Sequence, residues 1–165
     1  MKIEIYLCRP IYHPVPVFAW AIMVFQKMFP WNKDSYSHMA VGYEVGGKQV
    51  VVHITGDGVK WESLGKFVTR YKITETIYRD IDTNVDDVYS WIELQLAKKY
   101  DNWQIVGHAL QFLRITDHNI LGANLNRYVC SEMVASFMSE FNGWELGDSD
   151  NWDLSKTVDR LMESE

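Results

Sequence analysis

Short runs in the first half of the chain alternate apolar and polar residues, which is the pattern of half-buried β-strands. Four strands are predicted from these runs: Lys2 to Cys8, Ser37 to Glu44, Lys48 to Thr55 and Tyr71 to Ile81. Only Val45-Gly46-Gly47 separates the two middle runs, so we expect them to form a hairpin. Gly56-Asp57-Gly58 is the next predicted turn, and it leads into a short run that ends at Glu62.

The second half of the chain has apolar residues at helical spacing. The predicted helices run from a cap at Asp86 or Asp87 to about Tyr100, from Asp101 or Asn102 onwards, from Cys130 to about Phe141, and from Leu154 to Met162 with Asp153 as cap. A loop is expected from 116 to 126, and Asn142-Gly143 favours a stop for the Cys130 helix. Strands followed by helices predict an α+β fold, one antiparallel sheet packed against helices, in a single domain over 1–165.

An apolar segment, Val15 to Phe29, interrupts the strand region. It contains polar residues and is shorter than the roughly 20 apolar residues that a membrane-spanning helix needs. We therefore expect a buried helix over Val17 to Met28, with a helix lying on a membrane surface as the alternative. The first residues do not have the pattern of a secretory signal, so a cytoplasmic location is expected.

Composition and charge narrow the function further. The 165 residues are 47% hydrophobic and 23% charged, as in an ordinary folded protein. The net charge of −6 argues against nucleic acid as a partner. The two cysteines, Cys8 and Cys130, lack zinc-ligand spacing, so no metal or other cofactor is expected. Free thiols in a reducing compartment fit two isolated cysteines better than a disulfide does, and mid-strand Cys8 is predicted to be buried and inert.

Cys130 has the position of a nucleophile. It stands at the predicted start of a helix, where free N–H groups and the positive end of the helix dipole favour a thiolate. The competing interpretation is a buried cysteine that packs as a small hydrophobe. Nothing at this position alone decides between the two.

The predicted hairpin brings two histidines close together. His38 lies at the start of one strand and His53 at the end of the next. Pairing through the 45–47 turn places residue 38 opposite 53 or 54, so the two imidazoles are expected to be cross-strand neighbours. One ring would act as a base and the other would hold it in the correct tautomer. A register slip of one residue would send them to opposite faces.

The order of these segments resembles the circularly permuted branch of the NlpC/P60 papain-like superfamily, which includes YiiX-like cysteine hydrolases and lecithin:retinol acyltransferase-like enzymes. The resemblance rests on Ser37-His38-Met39-Ala40-Val41-Gly42-Tyr43 and on Tyr128-Val129-Cys130-Ser131-Glu132-Met133-Val134. Weaker support comes from Lys99-Tyr100-Asp101 and Leu154, while the segment before His38 departs from the pattern. The resemblance covers about residue 35 to the end and implies a permuted papain-like fold in a bacterial or phage-encoded protein.

The resemblance also implies roles for the residues. Cys130 would be the nucleophile, His38 the base and His53 the residue that orients it. The backbone N–H of Cys130, with that of Ser131, would stabilise an oxyanion. Tyr36 and Tyr128 lie near the two motifs and are expected to line a substrate cleft.

Three functions stay open at this point. The first is a hydrolase that cleaves an amide or ester, such as a cell-wall peptide, through an acyl-enzyme. The second is a lipid-directed acyltransferase or thioesterase of the same fold; His53 and the apolar segment favour it, whereas the acidic net charge opposes binding to anionic membranes. The third is a non-enzymatic binding or inhibitory protein that keeps the fold.

Overall fold

The computed structural model describes residues 1–11, 36–100, 127–145 and 154–163. Its strands are β1 (Lys2–Pro10), β2 (His38–Val45), β3 (Lys48–Thr55), β4 (Gly58–Ser63), β5 (Tyr71–Asp80), β6 (Lys99–Tyr100) and β7 (Arg127–Tyr128). Its helices are α1 (Leu64–Phe67), α2 (Val85–Gln95), α3 (Cys130–Asn142) and α4 (Leu154–Glu163). The helices predicted over 17–28 and from 101 or 102, the 116–126 loop and the cap at Asp153 lie outside the described residues.

The main sheet is antiparallel and has five strands in the order β4-β3-β2-β1-β5. The predicted hairpin is confirmed: β2 pairs with β3 from Val45–Lys48 to Val41–Val52. Gly46 and Gly47 turn the chain with φ angles of 56° and 75°, a region that glycine adopts without strain. The α+β class and the antiparallel sheet are therefore confirmed.

Strand alternation gives this sheet two different faces. One face, the core face, belongs to the main apolar cluster; its sheet residues are Ile3, Ile5, Leu7, Met39, Val41, Tyr43, Val52 and Ile54. Helix α3 covers the core face with Met133, Val134, Phe137 and Met138, and Trp91 of α2 adds to the same cluster. Phe137 meets Trp91 edge-on with the ring centroids 5.2 Å apart.

The opposite face has a smaller apolar cluster of Tyr6, Cys8, Ala40, Val51 and Phe67. Close packing here requires a glycine in β2, because a Cβ at Gly42 would lie 2.5 Å from the Tyr6 ring. We call this side the polar face, because it also has the histidines described below.

Helix α2 differs from its prediction at both ends. Its cap is Asn84, whose side chain accepts a hydrogen bond of 2.9 Å from the Asp87 N–H, so Asp86 and Asp87 occupy the first turn instead. The helix ends at Gln95 rather than near Tyr100, because Lys99–Tyr100 forms a short parallel ladder with Arg127–Tyr128. Tertiary pairing overrides the helical pattern there.

Helix α3 has the predicted bounds. It starts at Cys130, and the Val129 N–H donates to the Glu132 carboxylate at 3.1 Å, which satisfies one free donor at the helix start. It ends at Asn142, followed by Gly143 in the left-handed conformation with φ of 67°. Within the described ranges, no helix combines the length and apolar character needed to cross a bilayer.

Candidate active site

The two histidines meet where β2 and β3 separate. The ladder between these strands stops at Val41–Val52, and beyond it His38 Nε2 lies 3.0 Å from His53 Nδ1. The predicted contact is therefore confirmed, but the predicted register is not. Continuing the ladder places His38 opposite Thr55, so the histidines are diagonal neighbours two residues apart and share a face.

The hydrogen-bonded chain continues past His53 to a carboxylate on β4. His53 Nε2 lies 3.0 Å from Glu62 Oε1, and Arg70 pairs with the same oxygen. Lys66 Nζ lies 3.7 Å from the second oxygen. Sequence reasoning missed Glu62 and Arg70. The missed signal for Glu62 was the register between β3 and β4. His53 pairs with Lys60, and Glu62, two positions further along β4, points to the same face as Lys60.

Aromatic rings enclose the histidine pair on the polar face. The His38 ring stacks on Tyr71 with centroids 4.5 Å apart, and Phe67 meets His53 edge-on at 5.0 Å. Phe67 and Tyr71 stack on each other at 4.9 Å. His38 is 6% exposed and His53 is fully buried, so the pair is largely removed from water.

Burial sets the protonation state of the pair. Loss of water, with a smaller contribution from the Arg70 charge, lowers the pKa of His38 to about 3. Burial also lowers the pKa of His53 to about 2, with additional repulsion from His38, Arg70 and Lys60. Both imidazoles are therefore neutral near pH 7.

Cys130 lies at the same end of β2 as His38. Its sulfur accepts hydrogen bonds from the backbone N–H groups of Met39, Ser131 and Cys130 itself. Met39 directly follows His38 in β2, and successive strand residues point to opposite faces, so the thiol lies with the core-face cluster and the His38 ring on the polar face. No hydrogen bond joins Cys130 to His38 within the part of the chain that the structure describes.

The protonation of this thiol corrects the expected thiolate. Cys130 is 4% exposed and belongs to the core-face cluster. Burial raises the pKa of its thiol, the three N–H groups offset this only in part, and the Glu132 carboxylate adds a small rise, so that the pKa is about 11. Desolvation outweighs the helix N-terminus, so the thiol is neutral near pH 7.

The remaining predicted site residues occupy different environments. Ser131 is buried in the first turn of α3, and its N–H points at the thiol. Tyr36 is buried in the core-face cluster. Tyr128 of β7 pairs with Tyr100 of β6, and the side chain of Tyr128 lies outside the described part. Their contribution to a cleft stays a prediction.

Cys8 is the second free thiol, and the prediction that it is buried is confirmed. It pairs with His38 across β1 and β2, and burial holds its pKa well above the ordinary range of a thiol. The described residues contain no group of three or more His, Cys, Asp or Glu side chains placed to hold a metal ion.

Comparison with protein-family models gave no match for this chain, and comparison with curated proteins gave none either. The permuted papain-like fold therefore stays a prediction from the motifs around His38 and Cys130, and the chemistry of the site has to be argued from its own geometry.

Proposed function

We propose that this protein is a cysteine-dependent hydrolase that cleaves an amide or ester bond through an acyl-enzyme. The observation that carries the proposal is the contact of 3.0 Å between His38 and His53, next to a thiol at the N-terminus of α3. A base, a residue that orients it and a nucleophile are the minimum set for this chemistry.

In the proposed acylation step, Cys130 Sγ bonds to the substrate carbonyl carbon and the thiol proton passes to His38. The N–H groups of Cys130 and Ser131 already point at the sulfur, and they would donate to the oxyanion that forms beside it. His38 then returns the proton to the leaving amine or alcohol as the carbon–heteroatom bond breaks.

In the proposed deacylation step, water attacks the thioester and gives a proton to His38. The tetrahedral intermediate collapses, the carbon–sulfur bond breaks, and His38 returns the proton to the sulfur. A carboxylic acid leaves, and the neutral thiol and imidazole are restored. His53 contacts His38 throughout and would share the positive charge that His38 holds in both intermediates.

Because both partners rest in their neutral forms, proton transfer and attack have to be concerted. The His38 ring lies on the polar face and the thiol lies in the core-face cluster, so one of the two side chains has to reorient around the start of β2 before the proton can pass. A carbonyl substrate is therefore a better probe of this site than a simple alkylating agent, which reacts with a thiolate already present.

The test is acylation by p-nitrophenyl acetate at pH 7, with release of p-nitrophenol followed by absorbance and the acetylated residue identified by mass spectrometry. We expect a burst of one equivalent and an acetyl group on Cys130. Cys130→Ala abolishes the burst, whereas Cys8→Ala, the matched loss of the other buried thiol, retains it. A wild-type protein without a burst, or with equal acetylation of Cys8, contradicts the proposal.

A second candidate is a non-enzymatic binding protein, and two observations favour it. Cys130 is 4% exposed, and within the described segments its thiol has no hydrogen bond to His38. The acylation experiment separates the two, because a packing cysteine gives no burst while the fold stays intact.

The lipid-directed acyltransferase or thioesterase differs from the hydrolase in its substrate. The apolar segment that favours it lies outside the described residues. Co-sedimentation with neutral and anionic liposomes tests this alternative, and a protein that stays in the supernatant with both contradicts it.

A further inference from the structure

The polar face contains a carboxylate that the proposed reaction does not use. The Glu62 side chain is only 6% exposed, and one of its oxygens serves both His53 and Arg70. Burying a carboxylate is costly unless it is paired and hydrogen-bonded. The position of this buried carboxylate, at the end of a hydrogen-bonded chain of two histidines, indicates that it acts on those histidines.

The direction of each hydrogen bond follows from the chemistry of the groups. Beside the Arg70 guanidinium, Glu62 is ionised and accepts only, so His53 donates to it through Nε2–H. A neutral His53 then has no proton on Nδ1, and that atom accepts from His38 Nε2–H. A neutral His38 is left with a lone pair on Nδ1.

We propose that Glu62 is a positioning residue which, with Arg70 as its charge partner, fixes His53 and through it His38 in the Nε2–H tautomer, so that His38 Nδ1 is the atom that accepts a proton. The tautomers follow from the hydrogen bonds of two neutral rings and one ionised carboxylate. The further step, that this proton comes from Cys130, rests on the proposed function.

Arg70 makes this arrangement consistent with neutral histidines. An uncompensated carboxylate beside His53 would favour the imidazolium, whereas the Glu62–Arg70 pair presents an acceptor with little net charge. The other ionisable groups of the described elements that surround the pair are Lys60 on β4, Lys66 on α1, Cys8 on β1, Tyr71 on β5 and Cys130 on α3. Lys60 pairs with His53 across β3 and β4, and its Nζ lies 2.7 Å from the exposed Asp57 carboxylate.

Long-range ¹H–¹⁵N correlation spectra of the histidine rings test the proposal directly, since protonated and bare ring nitrogens resonate far apart. The two rings are assigned through their contacts with Phe67 and Tyr71. At pH 7 we expect Nε2–H tautomers for both His38 and His53 in the wild type. A wild-type spectrum with His53 protonated on Nδ1 overturns the proposal, and this measurement needs no variant to fold.

Two variants and one control extend the test. In Glu62→Gln the acceptor at position 62 can also donate, so we expect a mixture of tautomers at His53. Arg70→Gln removes the closer of the two cations beside Glu62 and leaves Lys66, 3.7 Å from the second oxygen, so the imidazolium of His53 is expected to form at a higher pH than in the wild type. Glu75→Gln makes the same change at an exposed position of β5 in the same sheet, and we expect it to change neither result. Wild-type tautomers in Glu62→Gln overturn the proposal.

Acylation by p-nitrophenyl acetate links the tautomers to the reaction. Loss of tautomer control in Glu62→Gln is expected to slow the burst by about 10- to 100-fold, a part of what a general base contributes, while Glu75→Gln keeps the wild-type rate. An unchanged rate in Glu62→Gln overturns the positioning role. A wild type with both Nε2–H tautomers but no burst supports the tautomer assignment and overturns the proposed function instead.

Discussion

The two faces of the sheet are made by the same strands but follow different physical rules. On the core face, Met39, Val41 and Val52 pack under α3 in a cluster that depends on volume and shape. On the polar face, His38 and His53 are buried just as deeply, but each depends on a specific hydrogen-bond partner. Successive residues of β2 thus serve different purposes, stability on one side and candidate chemistry on the other.

The comparison shows why a buried polar chain is more demanding than a core. A core tolerates substitutions that keep its volume, at a cost usually below about 1.5 kcal/mol. A buried hydrogen-bonded chain loses its function when any one member changes its donor or acceptor pattern. Mutations of the hydrogen-bonded residues on the polar face are therefore expected to lower reactivity more than stability. Mutations of the packing residues on the core face are expected to do the reverse.

The largest expected effect is on reactivity, at the polar face. His38→Ala removes the proposed base, so the burst with p-nitrophenyl acetate is expected to slow by about 10²- to 10⁴-fold. Its stability loss is smaller, about 1–3 kcal/mol, because it leaves the buried Nδ1 of His53 without a partner. Burst kinetics and urea unfolding measure the two quantities. A burst of wild-type rate in His38→Ala would show that the polar face is only structural.

The next effect is on stability, at the core face. Phe137→Ala removes a fully buried ring from beneath Trp91, and we expect a loss of about 3–5 kcal/mol in the free energy of unfolding. The folded fraction keeps its burst, because the ring does not touch the histidine pair. Leu94→Ala, which truncates a side chain 74% exposed on α2, is the control and costs less than about 0.5 kcal/mol. Equal losses in the two variants would contradict the assignment of the core.

The smallest effect per step is the dependence of stability on pH, which the buried histidines limit on the acid side and the buried thiols on the alkaline side. The folded pKa values of His38 and His53, about 3 and about 2, lie below the ordinary 6.5, so their contribution is complete above pH 6.5 and is lost as the pH falls towards 3. The slope reaches about 1.4 kcal/mol per pH unit for each histidine.

The thiol on the core face acts in the other direction. Its folded pKa of about 11 lies above the ordinary 9.0, so its contribution is complete below pH 9 and is lost as the pH rises towards 11. Urea unfolding from pH 4 to 10.5 measures both limits. His38→Ala is expected to flatten the acid limit. Cys130→Ala is expected to flatten the alkaline limit in part, because burial also raises the pKa of Cys8 and its contribution is lost over the same range. A variant that flattens the opposite limit, or neither, contradicts the assignment of these groups.

Much of this arrangement could be predicted from local sequence signals. Alternation and the glycine turn indicate the β2–β3 hairpin, and its register brings His38 and His53 to one face. The apolar spacing after Cys130 and the glycine at 143 indicate the bounds of α3. These features depend on neighbouring residues or on one short turn, so periodicity is enough to find them.

The rest depends on long-range packing. Arg70 comes from beyond α1 on the way to β5, so it shows no local signal. Glu62 lies in the short run after the predicted Gly56-Asp57-Gly58 turn, but its place beside His53 depends on the register of that second hairpin. The end of α2 is set by the pairing of Lys99–Tyr100 with a segment far along the chain. The thiol pKa could not be predicted from the helix N-terminus, because the opposing term, burial, exists only in the folded protein.

The hydrogen bond from the Met39 N–H to the Cys130 thiol gives this site a built-in reporter. Met39 lies in the middle of the sheet, yet its amide resonance depends on what the sulfur is bonded to. Acylation or oxidation of Cys130 would shift one backbone signal in an otherwise unchanged strand. Occupancy of the site can therefore be followed in an ordinary amide spectrum, without a labelled substrate and before the natural one is identified.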